Sequence, residues 1–174
     1  MKIRVEEIKD TEKDAAFVEE VSEINEALAR TGAVDYQLQG AVPVNVRYYR
    51  SGADLFFRGE FTGRVAGTCA RCLDDYPFSL HREFTFVLKP QAEQAADEEL
   101  REEDVSLSFY QGDEVDLSPL VREAMILSLP TVPLCSDECR GLCSHCGANR
   151  NVGPCGCHED WVDPRLAVLR SLKR

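Results

Sequence analysis

Between Tyr36 and Lys89 the apolar positions recur every second residue. In "VPVNVRYY", Val42, Val44, Val46 and Tyr48 fall on one side, and Asn45, Arg47 and Tyr49 on the other. "DLFFRGEF" follows a Ser51-Gly52 turn, "GRVAGT" leads into "CARC" (Cys69 to Cys72), and "FSLHREFTFVLKP" leaves it. Alternation broken by turn residues predicts an antiparallel meander with CARC near a hairpin tip. Ahead of it the period is helical. Phe17, Val21, Ile24 and Leu28 fall on one helical face, which predicts a helix from about Asp14 to Arg30, with Glu19, Glu20, Glu23 and Glu26 outward and Gly32 as its stop. Residues 2–8 suggest a short strand. Downstream, "VSLSFYQGDEVDL" predicts two strands around Gln111-Gly112-Asp113. A helix over 118–129 follows, capped by Ser118, opened by Pro119 and stopped by Pro130. It is apolar nearly all round and is expected to be buried. Asp163 and Pro164 open a third helix striped by Leu166, Leu169 and Leu172. The pattern as a whole predicts an α+β fold: a mainly antiparallel, barrel-like sheet core with about three helices.

A chain of 174 residues suits one integrated domain. It divides into an α+β core, residues 1–134, and a cysteine-rich module with a C-terminal helix, residues 135–174. The net charge of −11 is uneven: residues 36–90 carry +2, whereas residues 91–104 hold seven acids and one Arg. That acidic stretch has no apolar period and is expected to be a solvated loop. No apolar run is long enough to span a bilayer, and the charged start "MKIRVEEIKDTEKD" is unlike a secretory signal. Both point to the reducing cytoplasm, where clustered cysteines more often hold metal than form disulfides.

There are eight cysteines. Their spacings are C-x2-C at Cys69/Cys72, C-x3-C at Cys135/Cys139, C-x2-C at Cys143/Cys146 and C-x-C at Cys155/Cys157. Eight thiolates divide into two tetrahedral sets, and four thiolates close the coordination sphere of structural Zn2+. The local set is Cys143, Cys146, Cys155 and Cys157. It leaves Cys135 and Cys139 to meet Cys69 and Cys72, which would pin the hairpin tip to the segment after the buried helix. A swap that joins CARC to Cys143/Cys146 is the competing division, and His145 or His158 are further candidate ligands. The run does not match ferredoxin spacings. CARC lies between strands instead of opening a helix, which disfavours a redox dithiol.

"CARCL", "LPTVPLCSDECRGLCSHCGANRN", the following "CGC" and the closing "DPRLAVLRSLK" together resemble the YceD-type large-subunit ribosomal RNA accumulation proteins, long filed as a domain of unknown function. The resemblance covers most of the chain in the family's order; Ser144 stands where the knuckle would carry a proline. It implies a bacterial-type cytoplasmic factor that sustains large-subunit ribosomal RNA levels, with no established reaction. It also implies that Cys69, Cys72, Cys135 and Cys139 form the more general site and the second quartet an embellishment.

The residues themselves argue against an enzyme. Saturated zinc has no open position for water, and no H-E-x-x-H, phosphate loop or nucleophile elbow is present. Two binding modes remain. Arg47, Tyr49, Arg58, Arg64 and Arg71 are candidate contacts to ribosomal RNA. Alternatively, the acidic segments attract a basic ribosomal protein. A zinc-ribbon nucleic-acid-binding regulator is a further class, but residues 135–174 carry only +1. Nothing implies a membrane or small-molecule partner.

Overall fold

The computed structural model describes residues 1–32, 35–91, 107–157 and 165. The chain enters as β1 (Lys2–Arg4), makes one 3-10 turn (Val5–Glu7) and continues through β2 (Lys13–Glu20), α1 (Val21–Thr31), β3 (Tyr36–Gln39), β4 (Ala41–Ser51) and β5 (Asp54–Thr68). Then come β6 (Asp75–Pro90), β7 (Leu107–Tyr110), β8 (Glu114–Asp116) and α2 (Ser118–Leu127). The main sheet runs in the order β2-β4-β5-β6-β7, with β3 also on β5, and all its pairings are antiparallel except β6 with β7. A separate ribbon joins β1 to β8.

The meander between Tyr36 and Lys89 forms as its alternation requires. Val42, Val44 and Val46 of β4, Leu55, Phe57, Phe61 and Val65 of β5, and Leu80, Phe84 and Leu88 of β6 share one buried core with Ile24 and Leu28 of α1 and Val121 and Met125 of α2. The sheet is open, contrary to the barrel-like expectation. Strands β3 and β4 lie end to end along the same side of β5, joined at Gly40 with φ 73°. Six strands therefore fill only five positions across the sheet. Small barrels close with about eight.

The helix expected from Asp14 begins only at Val21, because Lys13–Glu20 is a strand. A spacing of four residues, Phe17 to Val21, is common to one helical face and one strand face, so the pattern there fits both. Pairing decides it: Ala15, Phe17 and Glu19 lie opposite Val46, Val44 and Val42 of β4. The consequence falls on Glu19. A helix would turn it to solvent, whereas the strand turns it inward, where it is 3% exposed. There Arg122 of α2 pairs with it and also with Glu23 of α1. Ile24 and Leu28 are buried, and Gly32, in the left-handed region at φ 78°, ends α1 as expected. Asn25 fastens the helix to β3, its amide both donating to Leu38 O and accepting from Leu38 N.

Helix α2 is shorter and less buried than its composition predicts. Ser118, Val121 and Met125 face inward, while Leu127 is 77% exposed. Leu117, not Ser118, is the N-cap residue; Asp116 Oδ1 accepts the Ser118 N–H, and the Ser118 hydroxyl receives the N-terminal ammonium. The helix stops before Leu129 because a residue preceding proline is pushed out of the helical region. Two α-helices stand among the described residues, against about three expected. The third, from Asp163, and almost all of the acidic stretch 91–104 lie outside them.

Arg122→Ala would leave the Glu19 carboxylate buried without its partner. The expected cost is about 3 kcal/mol, read as a lower urea midpoint at unchanged slope, and Arg122→Lys should recover part of it.

Candidate metal centres

Two turns in the chain repeat one geometry. At the tip of the β5–β6 hairpin, Cys69 N–H donates to Asp74 O at 2.9 Å and Leu73 N–H donates to Cys69 O at 2.9 Å. In the downstream module, Cys143 N–H donates to Ala148 O at 2.8 Å and Gly147 N–H donates to Cys143 O at 2.9 Å. Each turn places the residue after its second cysteine in the left-handed region, Leu73 at φ 62° and Gly147 at φ 71°. Glycine meets that demand without strain. Leu73 is the one non-glycine among the described residues with positive φ, and it is 64% exposed.

The sulfurs fall into two sets of four: Cys69, Cys72, Cys135 and Cys139, and Cys143, Cys146, Cys155 and Cys157. Within each set all four lie within 4.8 Å of one another. In the first, Cys69 to Cys139 is 3.8 Å and Cys72 to Cys135 is 3.7 Å. A disulfide requires about 2.0 Å. Four sulfurs at about 2.3 Å from one tetrahedral ion stand about 3.8 Å apart, so the first set has the size of a filled tetrahedron. His145 is in neither set, and His158 lies outside the described residues. The swapped pairing of CARC with Cys143/Cys146 does not occur.

The electrostatics favour a cation at each centre. Burial opposes charge on Cys69, but backbone N–H groups at Cys135, Cys72 and Arg71 outweigh it and hold this thiol at about 6. For Cys72 an N–H from Asp74 favours the thiolate, yet burial and the three neighbouring sulfurs overcome it and push the thiol up to about 12. The second set repeats the contrast. Backbone N–H groups at Cys146 and His145 bring Cys143 down to about 6, and the Cys146 sulfur with burial drives Cys157 up to about 12. Cys69 and, through the Asn151 amide, Cys139 in the first pocket and Cys143 in the second are lowered, while Cys72 and Cys157 beside them are raised. A bound dication removes that conflict, because every ligand must be a thiolate. The residues present fit a tetrahedral thiophilic ion such as Zn2+.

Cross-links stitch the two centres together. Arg71, inside CARC, donates from Nη1 to the carbonyls of Asp137 and Cys139, each at 3.0 Å, and its own carbonyl accepts from Leu142 N at 3.0 Å. Asn149 reaches Asp74 across the interface at 2.5 Å. Asn151, in the loop between the second C-x2-C and the C-x-C pair, donates from Nδ2 to Cys139 Sγ at 3.2 Å. Asn149 and Asn151 were not foreseen from spacing; their one signal is the "NRN" that follows the second knuckle. Gly141 completes the seam at φ 67°, where a Cβ would meet Arg71 O at 2.9 Å.

Four of the five residues considered for RNA contact share the outer face of the sheet: Arg47 lies opposite Arg58, Tyr49 opposite Phe56, and Arg64 points the same way further along β5. Arg71 stands apart in the metal seam. Carboxylates already hold two of the arginines, Arg47 by Asp14 at 2.9 Å and Glu12 at 3.7 Å, and Arg58 by Glu83 at 3.9 Å. Arg64 makes no ion pair among the described residues. Tyr49 stacks on Phe56 with ring centroids 5.0 Å apart.

Comparison with known proteins adds a family. The model of the family described as Large ribosomal RNA subunit accumulation protein YceD matches residues 57–173, which include every cysteine discussed above. An uncharacterized protein of Mycobacterium leprae is 28% identical over 152 residues, 84% of this chain; the chain spans only 66% of that relative's length. Protein YlbN of Bacillus subtilis, also uncharacterized, is 25% identical over 175 residues, 99% of this chain and 96% of its own. An Arabidopsis thaliana protein named Large ribosomal RNA subunit accumulation protein YCED homolog 1, chloroplastic, is 32% identical over 60 residues, 34% of this chain and 19% of its own. No solved structure matches the chain significantly. Among the described residues no helix is long and apolar enough to cross a membrane.

Gly141→Ala adds a methyl group where both the backbone angle and Arg71 O reject it. A loss of at least about 2 kcal/mol is expected by thermal or urea unfolding. Gly147→Ala, which meets nothing within 4 Å, should lose only the backbone share of about 1 kcal/mol.

Proposed function

The chain belongs to the YceD family of large ribosomal RNA subunit accumulation proteins, and from that premise we propose that it is a non-catalytic cytoplasmic factor, fastened by two structural Zn2+ ions, that sustains large-subunit ribosomal RNA by holding a basic ribosomal protein. Cys69, Cys72, Cys135 and Cys139 hold the first ion, and Cys143, Cys146, Cys155 and Cys157 the second. The observation that carries this reading is the pair of four-sulfur centres. Each supplies all the ligands that tetrahedral zinc accepts, so neither leaves a coordination position for substrate or water. When bound, the ions supply cross-linking. The chain's own residues then hold the seam: Arg71 and Asn149 tie the knuckles together, and Asn151 steadies the Cys139 sulfur.

For the partner, charge favours protein over RNA. Phosphate binding rests on guanidinium and ammonium groups free to replace counterions. On the sheet Arg47 and Arg58 already have carboxylate partners, and the chain as a whole carries −11. A lysine- and arginine-rich ribosomal protein meets that surface with complementary sign.

The purified protein should contain two zinc ions per chain and no titratable thiol until a chelator is added. Cys69→Ser should lower the unfolding temperature of the whole molecule and speed amide exchange in β5 and β6. Cys146→Ser should speed exchange mainly within residues 141–157, and equal thermal losses in the two variants would contradict the division of ligands. For the partner, pulldown at two salt concentrations with and without nuclease decides. Recovery of a ribosomal protein after nuclease supports the reading, whereas large-subunit RNA that stays bound after basic proteins are removed would replace it with direct RNA binding.

A further inference from the structure

The outer face of the sheet carries a groove of about 560 Å³ lined by residues of β2, β4, β5 and β6. Its floor is made of small groups, Ala16, Asn45 and Gly59. Gly59 contributes only backbone to that floor: its side-chain direction is the core face, where a Cβ would run into Asn45 O and lie 2.6 Å from the buried Phe84 ring. The rim is charged and unbalanced. Asp14, Glu60 and Glu83 face Arg47 and Arg58 across it, and Glu12 adds a fourth carboxylate at the Arg47 end. Arg47 is held by Glu12 and Asp14, and Arg58 reaches Glu83 only at 3.9 Å. Glu60 makes no ion pair among the described residues. The groove therefore carries two negative charges in excess, one at Glu60 beside the Arg58–Glu83 pair and one at the far end, where Glu12 and Asp14 share Arg47.

Beside this groove the same face turns apolar. Tyr49, Phe56 and Val87 lie in one row across β4, β5 and β6. Phe109 of β7, register partner of Lys89, lies two residues further along the sheet from that row and is 41% exposed. The two rings of the row are parallel within 6°. No described element covers this face, since both helices share the core on the opposite one.

We propose that the groove floored by Gly59, together with the Tyr49–Phe56 row, is the docking surface for an extended lysine- and arginine-rich segment of a protein partner. This rests on the preceding reading that the partner is a basic ribosomal protein, and it adds where that protein binds. A cationic side chain enters the groove between Glu60 and Glu83 and supplies the charge the groove lacks. The next arginine or lysine along the segment lays its stem or guanidinium on the half-buried rings of Tyr49 and Phe56, where a cation gains both apolar contact and attraction to the π-face. An RNA strand fits the rings but not the groove, because its phosphates would meet unpaired carboxylates.

The test uses the full zinc-loaded chain and, as probe, an RNA-free mixture of purified large-subunit ribosomal proteins. The proteins retained are identified, their affinities measured, and their contacts mapped by carbodiimide coupling, which joins carboxylates to lysines. Glu60→Lys/Glu83→Lys is the variant. Glu83 is 71% exposed and Glu60 is exposed, so zinc content and unfolding temperature should be unchanged. Expected are a lysine-rich protein bound at least tenfold more weakly by the variant, a gap that narrows as salt is raised, and couplings at Glu60 or Glu83. Wild-type affinity in the variant, or couplings confined to residues 93–104, would overturn the docking site and leave the basic-partner reading standing. Retention of no basic protein by the wild-type chain would overturn both.

Discussion

Two stretches more than sixty residues apart in the sequence meet at four sulfurs, and the arrangement of the rest of the molecule follows from that meeting. Without it, the tip of the β5–β6 hairpin would be an exposed turn and the segment after α2 an untethered tail. An ion held by these four sulfurs would close a loop of this length and remove about 4 kcal/mol of chain entropy from the unfolded state, a large share of the stability of an ordinary domain. The same meeting also holds α2 in place from its far end. The helix is fixed at its start by Asp116, by the contact of Ser118 with the N-terminus and by the ribbon of β1 with β8. Past its end, Pro133 O accepts from Ala70, inside CARC. The helix is thereby pressed on the sheet although one of its sides remains apolar and exposed.

The parts of the fold legible in the sequence are those where a single local rule acts alone. Val42, Val44 and Val46 alternate within one strand, and no other period suits them. Short spacings mark which thiols pair locally, but the partner of CARC, Cys135/Cys139 or Cys143/Cys146, is decided only where the fold brings the sulfurs together. Where two rules agree locally, the tertiary pairing chooses, and the sequence cannot announce the choice. Phe17 and Val21 satisfy both helix and strand; the strand prevails because β4 presents Val42, Val44 and Val46 opposite it. Ser118 is a good cap in isolation, but the N-terminal ammonium occupies its hydroxyl from more than a hundred residues away. Long-range competitors of this kind leave no mark within a local window.

Leu73 illustrates how far geometry overrides local preference. Its backbone angle suits glycine, its side chain is largely exposed, and a leucine there loses on both counts. The corresponding position in the second knuckle is Gly147. Since both knuckles make the same pair of backbone hydrogen bonds, the left-handed residue is a requirement of the turn that brings two sulfurs into one cluster. Local strain of this size persists only where surrounding structure over-determines the backbone, and four converging sulfurs do so.

The same hierarchy explains how the arginines of the sheet are used. Read along the chain, Arg47, Arg58, Arg64 and Arg71 form a modest cationic series. In three dimensions they separate according to what stands opposite. Arg71 is drawn into the seam by the carbonyls of Asp137 and Cys139, where it braces the first sulfur cluster. Arg47 and Arg58 become counterions to acids from neighbouring strands. Once these are matched, the charge left over is the carboxylate of Glu60 and one of the two carboxylates that share Arg47. The sign of the unmatched charge, more than the count of arginines, decides which partner the face attracts.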